Sequence, residues 1–73
     1  MNKTIYTQDH KKLVDKLKQA RIEAKFDQKK VAGLLGVTQS YISKVESGQR
    51  KIDVIQLSNF AKIYRKSLNY FIR

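Results

Sequence analysis

Two short helical patterns that meet at a glycine constrain this chain more than any other feature. Between Asp27 and Gly48, apolar residues recur at helical spacing on both sides of the segment Gly36-Val37-Thr38. Glycine adopts a positive φ without a Cβ penalty. Gly36 is therefore expected to end the first helix of this pair, and Gly48 is expected to end the second helix of the pair. This arrangement is typical of a helix-turn-helix unit, whose second helix lies in the major groove of DNA.

Three helix starts share one piece of local chemistry, an N-cap residue flanked by an apolar pair. The segments are Phe26-Asp27 with Val31, Val37-Thr38 with Ile42, and Ile52-Asp53 with Leu57. An apolar residue before the cap and another four positions after it form a hydrophobic staple around the N-cap. At the last start, Gln56 can also reach back to its cap and complete a capping box.

The periodicity predicts five short helices and no strands. The first begins after an N-cap at Thr7 and runs to about Lys25. The others are expected over residues 28–35, 39–47, 54–64 and 67–72. Gly33 lies inside the second helix, where glycine costs about 1 kcal/mol relative to alanine. This position is interpreted as solvated, the alternative being a close approach to a DNA backbone.

Length and composition limit what such a chain can be. Its 73 residues form one domain, residues 7–73, after an N-terminal arm of residues 1–6. A single histidine and no cysteine leave neither disulfides nor a zinc cluster to support the core, so no metal or cofactor is expected. Without a signal peptide or a long apolar run, a soluble cytoplasmic protein is expected.

The charge balance indicates a polyanionic partner. The net charge is +10, from 16 Lys and Arg against 6 Asp and Glu. An acidic membrane surface would need a helix with an apolar face open to lipid, whereas each apolar stripe here is expected to lie in the core. The chain has one histidine, no cysteine, and no pair of carboxylates without an expected structural role. It therefore lacks the minimum set of residues for acid–base, nucleophilic or metal catalysis, and an enzyme is not expected. Nucleic acid is the expected partner.

The second helix of the unit offers the candidate base contacts. If Ile42 and Val45 face the core with Val37, the polar residues between them project outward near the helix start. These candidates are Gln39, Ser40, Ser43 and Lys44. Gln39 can bond bidentately to adenine, whereas Lys44 can donate to guanine or to a phosphate.

With these features in register, the chain resembles the phage repressor and Cro type of helix-turn-helix regulator, the XRE family, from about Leu13 to Phe71. The residues that carry the resemblance are Arg21, Gln28, Ala32, Leu35-Gly36-Val37, residues 42–46 and Gly48 with its basic loop. It implies a compact, all-α, five-helix lambda-repressor-like domain that binds double-stranded DNA. It also implies an ion pair between Arg21 and Glu46 that braces the third helix against the first.

Residues around the unit are candidates for phosphate contacts, which position a protein on DNA but do not specify sequence. Gln28 opens a helix whose free N–H groups and partial positive charge favour a phosphate. The resemblance assigns the same role to Thr38, Ser47, Arg50 and Lys51. Tyr41 is left with three options: a phosphate, a thymine methyl group, or packing against the preceding helix.

Self-association is expected at the C-terminal end, where the resemblance also puts the family's dimer contact. Leu68 and Phe71 are expected to close the core, leaving Tyr70 and Ile72 for a second copy; alternatively, all four cover the domain's own end. The resemblance implies a homodimeric repressor on a pseudo-palindromic operator. The alternative is an antitoxin that neutralises a toxin partner and regulates itself by binding DNA.

Overall fold

Residues 8–72 are described by the structure, a computed structural model. This part of the chain is all-helical, with α1 Gln8–Glu23, α2 Gln28–Leu35, α3 Gln39–Glu46, α4 Val54–Tyr64 and α5 Leu68–Ile72. The predicted five-helix fold is confirmed, with helix ends that differ from the prediction by at most two residues. The predicted N-cap at Thr7 and the arm at residues 1–6 lie outside the described residues.

The N-caps form as their residue types predict. Each cap side chain accepts a hydrogen bond from a backbone N–H three residues later: Asp27 from Lys30 at 2.8 Å, Thr38 from Tyr41 at 3.0 Å, and Asp53 from Gln56 at 2.7 Å. The Gln56 side chain accepts in return from the Asp53 N–H at 3.0 Å and completes the capping box. These three helix starts are therefore fixed by local chemistry, and before α5 the Ser67 hydroxyl likewise accepts from the Tyr70 N–H at 3.3 Å.

The turn between α2 and α3 depends on the backbone of Gly36. This residue adopts φ +70°, and its N–H and that of Val37 satisfy carbonyls of the last turn of α2. Gly48, with φ +83°, follows α3 in the same left-handed region. Lys25 and Arg65 adopt comparable conformations after α1 and α4 without glycine, which is why the end of α1 was predicted two residues late.

The core lies where one side of each helix meets the others. Its fully buried members come from all five helices and include Leu17, Val31, Ile42, Val45, Phe60 and Phe71. Leu68 is half-buried and packs against this cluster. The core positions of α2 and α3 hold the two helices of the unit against α1 and α4.

One expectation about an apolar residue is wrong. Val37 was expected to face the core, but it is 36% exposed, because it lies in the turn before α3. The apolar stripe of α4, at Leu57, Ala61 and Tyr64, is buried as expected. Val54 and Ile55, in the first turn of α4, lie outside that stripe and are 63% and 70% exposed.

Candidate nucleic-acid interface

The solvent side of α3 carries all four candidate base-contacting residues. Gln39, Ser40, Ser43 and Lys44 are exposed, whereas Ile42 and Val45 on the opposite side are fully buried. Residues four apart are neighbours on a helix surface, so Gln39 lies beside Ser43 and Ser40 beside Lys44. The result is a short polar surface of amide, hydroxyl and ammonium groups, which are the groups that bind base edges.

An ion pair fixes α3 to α1 behind this surface. Arg21 donates from Nε to Glu46 Oε2 at 2.7 Å and from Nη2 to Oε1 at 3.1 Å, and a third bond joins Nη1 to the Phe26 carbonyl at 2.9 Å. The two side chains are only 14% and 5% exposed. The hydrogen bond that Arg21 donates to Glu46 raises the pKa of Arg21 above its ordinary value, despite the opposing effect of burial. The orientation of α3 is therefore held by a bidentate contact at its last residue.

Gln28 joins the same network, which the sequence did not reveal. Its Nε2 donates to Glu46 Oε1 at 3.1 Å. A carboxylate only accepts hydrogen bonds, so the nitrogen end of the amide must face it, leaving the second N–H of that group for another acceptor. The predicted phosphate residue is thus tied to the ion pair that orients α3. No periodicity marks a contact between residues on two different helices, so only the structure shows it.

The other candidate phosphate residues lie at the two ends of α3. Thr38 caps its start, and Ser47 follows its end, where its hydroxyl donates to the Lys44 carbonyl at 3.1 Å. Arg50 and Lys51 are exposed in the loop that leads to α4. Tyr41 is half-buried in a cleft that Leu35, Val37 and Phe60 also line, and the Arg50 guanidinium carbon lies 4.8 Å from the centre of its ring.

Most carboxylates in the described residues form helix caps or ion pairs that lie away from the solvent side of α3. Asp27 and Asp53 cap helices and Glu46 binds Arg21. Further ion pairs join Glu23 to Lys66 at 2.9 Å and Asp15 to Lys11 at 3.2 Å. None of these carboxylates pairs with Lys44, Arg50 or Lys51. The ends of α3 therefore keep an uncompensated positive charge, which favours a polyanion.

At the C-terminal end, the two candidate dimer residues differ. The Tyr70 ring packs edge-on against Phe71, with centroids 4.9 Å apart, and the Lys66 ammonium lies 4.6 Å from its centre. Tyr70 is half-buried by these contacts, whereas Ile72 is 63% exposed. Of the two, Ile72 is the side chain that the described part of the domain leaves largely uncovered.

The five helices, the turn at Gly36 and the polar side of α3 define a helix-turn-helix domain of the DNA-binding class. Comparison with protein-family models matches residues 17–71 to HTH_3, described as helix-turn-helix. Because the match spans more than half of the chain, the protein belongs to this family, and the resemblance to Cro- and C1-type XRE regulators is confirmed. It is a DNA-binding transcriptional regulator.

Two further findings concern the whole sequence and the helices. Curated protein sequences give no match to the chain. Across residues 8–72, none of the helices combines the length and the apolar character that crossing a bilayer requires.

Proposed function

We propose that this regulator is a homodimeric repressor that recognises a specific double-stranded DNA sequence through the solvent side of α3. The observation that carries the proposal is the contrast between the two sides of this helix. Ile42 and Val45 are fully buried, the Arg21–Glu46 pair fixes the last turn, and the residues between them present only polar groups to solvent. A helix held rigidly in this way can present side chains to base edges in a fixed register.

Each side chain on α3 suits a particular base contact. Gln39, at the start of the helix, pairs its amide with the N6 and N7 groups of adenine. Lys44 donates to O6 and N7 of guanine or to a phosphate, and the short hydroxyls of Ser40 and Ser43 adapt to several bases. Gln39 therefore carries most of the discrimination in this proposal.

Phosphate contacts hold α3 in place on either side of the groove. The donors are Gln28, Thr38, Tyr41, Ser47, Arg50 and Lys51, six residues around the two ends of α3. Counterions are released where Lys or Arg neutralises a phosphate, so Arg50 and Lys51 contribute a slope of log affinity against log salt of about −2 for each bound copy. Binding should therefore weaken steeply with added salt.

A second copy completes the recognition unit. A single small module buries only about 600–1,000 Å² on DNA, which limits its specificity. The exposed Ile72 and the neighbouring Tyr70 form the proposed dimer contact. Two recognition helices about 34 Å apart then read half-sites one helical turn apart, and the bound dimer obstructs polymerase.

Selection of bound sites from random duplex DNA, at about 0.15 M salt, tests this function. The proposal predicts enrichment of a pseudo-palindrome with half-sites about one turn apart. Enrichment of a single half-site would support sequence-specific recognition but would contradict the proposed homodimer. No enriched motif would contradict base readout and favour the alternative, an antitoxin whose main partner is a toxin protein.

A further inference from the structure

We propose that the ring of Tyr41 positions the Arg50 guanidinium for a phosphate, so that Tyr41 supports DNA binding through Arg50 and not through its own hydroxyl. This inference rests on the proposed function and changes it at one residue, because it replaces the direct phosphate contact of Tyr41 by a contact that Arg50 makes. It adds a fourth role to the three that the sequence leaves open for Tyr41. Tyr41 is a positioning residue in this account, and Arg50 is the residue that touches DNA.

The ring of Tyr41 is a fixed platform. Tyr41 lies in the first turn of α3, half-buried against the core, and lines a cleft with Val37 and Phe60. Its own backbone N–H is held by the Thr38 cap. Packing against Val37 and Phe60 therefore restricts the rotamers of the ring, next to the fully buried Ile42.

Arg50 reaches this platform from an anchored loop. Backbone hydrogen bonds from Gly48 to the Val45 carbonyl, 3.1 Å, and from Gln49 to the Lys44 carbonyl, 2.9 Å, hold the chain that leads to it. The guanidinium carbon then lies 4.8 Å from the Tyr41 ring centre. That contact is the one interaction the described residues give this side chain, so its N–H groups have no carboxylate or carbonyl to bind.

The physical advantage is preorganisation. A free arginine side chain loses rotamer freedom when it binds a phosphate, and a side chain already held over a ring loses less. The attraction between the guanidinium and the ring face uses none of the N–H donors, which stay available for a bidentate phosphate contact. Lys51, the next residue, is also exposed and forms no ring contact with the described residues, so it serves as a control.

A double-mutant cycle on random-sequence duplex DNA tests the proposal, since phosphate contacts do not depend on sequence. Tyr41→Leu should weaken binding about two- to five-fold, the range expected for an exposed cation–π contact. Tyr41→Phe should leave binding unchanged, because the ring remains. In an Arg50→Ala background Tyr41→Leu should have no further effect, whereas in a Lys51→Ala background it should have its full effect.

Either of two results would overturn the proposal. If Tyr41→Phe loses as much affinity as Tyr41→Leu, the hydroxyl itself binds DNA. If Tyr41→Leu still weakens binding in the Arg50→Ala background, the ring contacts DNA independently of Arg50. Should Tyr41→Leu fail to fold, Tyr41→Met, which fills the cleft without a ring, replaces it in the cycle with the same expected results.

A measurement without DNA separates this inference from the proposed function. In the NMR spectrum of the free protein, the Arg50 side-chain protons should be shifted upfield by the ring, and the shift should vanish in Tyr41→Leu. Absence of that shift in the wild type would refute the positioning role even if DNA binds. Failure of the wild type to bind any duplex, with the shift present, would refute the proposed function alone.

Discussion

At the scale of single residues, the hydroxyl of Tyr64 is an unusual feature of the core. The side chain is buried between the rings of Phe26 and Phe60, whose centroids lie 6.4 Å and 6.1 Å away. Its oxygen has no hydrogen-bond partner among the described residues. Burial raises the pKa of this phenol above its ordinary value, because the charged form is not solvated there.

Removing this hydroxyl should stabilise the domain. An unsatisfied buried polar group costs about 1–3 kcal/mol, so Tyr64→Phe is expected to raise the free energy of unfolding by about 1 kcal/mol. Urea denaturation followed by circular dichroism measures the change. A decrease of 1 kcal/mol or more would contradict the interpretation and indicate that an internal water satisfies the hydroxyl.

Residues on α3 show what can be predicted from sequence at this scale. The three- and four-residue spacing of Ile42 and Val45 identifies the buried side, and the exposed side follows from it. Helical spacing does not predict the burial of Val37, because this residue lies before the helix and the direction of its side chain depends on the turn. The contacts of Gln28 with Glu46 and of Tyr41 with Arg50 are also invisible in the sequence, because they join residues whose relative placement only the packed helices determine.

At the scale of elements, the Arg21–Glu46 pair connects α1 to α3 and should be a strongly coupled unit. Arg21→Met leaves a buried carboxylate with only the Gln28 amide, and loss of one member of a buried pair costs about 3–5 kcal/mol. The double variant Arg21→Met/Glu46→Leu removes both charges and should recover most of this loss. Thermal unfolding compares the variants. A double variant no more stable than Arg21→Met would contradict this prediction.

A second connection, between Glu23 at the end of α1 and Lys66 after α4, should make stability depend on pH. The hydrogen bond from Lys66 lowers the pKa of Glu23 below its ordinary value of 4.5. Because the folded pKa is the lower one, the pair stabilises the domain fully above pH 4.5 and loses this effect as pH falls through the folded pKa. Lys66 has a raised pKa, so the stabilisation also disappears in strong base.

Comparison of Glu23→Gln with the wild type in urea tests this connection. The variant should be less stable at neutral pH, and the difference should shrink to nothing in acid, where the wild-type carboxylate is protonated. Asp9→Asn is the control, since Asp9 is an exposed carboxylate in the first turn of α1 and forms no ion pair within residues 8–72. A difference that persists unchanged in acid would mean that the ion pair is not its source.

Helix ends explain the uneven success of prediction at this scale. Cap residues and glycines define α2 and the start of α4, and these bounds were predicted correctly. The end of α1 was predicted two residues too late. Lys25 takes a left-handed conformation, φ 63°, which is not expected for a lysine. Caps and glycines therefore predict a boundary directly, whereas the end of α4 before Arg65, φ 57°, was predicted correctly from its apolar spacing alone.

At the scale of the whole molecule, the proposed dimer depends on Ile72. Burying this side chain against a second copy contributes about 1.5–3 kcal/mol for each copy, so Ile72→Lys, present in both, should weaken the dimer by at least that amount. Val54→Lys is a matched control, because Val54 is equally exposed, at 63%, and lies outside the proposed contact. Sedimentation equilibrium measures both. If Val54→Lys dissociates the dimer and Ile72→Lys does not, the contact lies at the start of α4.

The central claim is that α3 reads bases, and Gln39→Ala tests it most directly. Affinities for the selected site and for random duplex are compared, with Lys51→Ala as the control for a phosphate contact. Gln39→Ala should cost about 1–3 kcal/mol on the selected site and little on random DNA. Lys51→Ala should weaken both and reduce the salt slope by about one. Equal losses for Gln39→Ala on the two DNAs would contradict base readout by this helix.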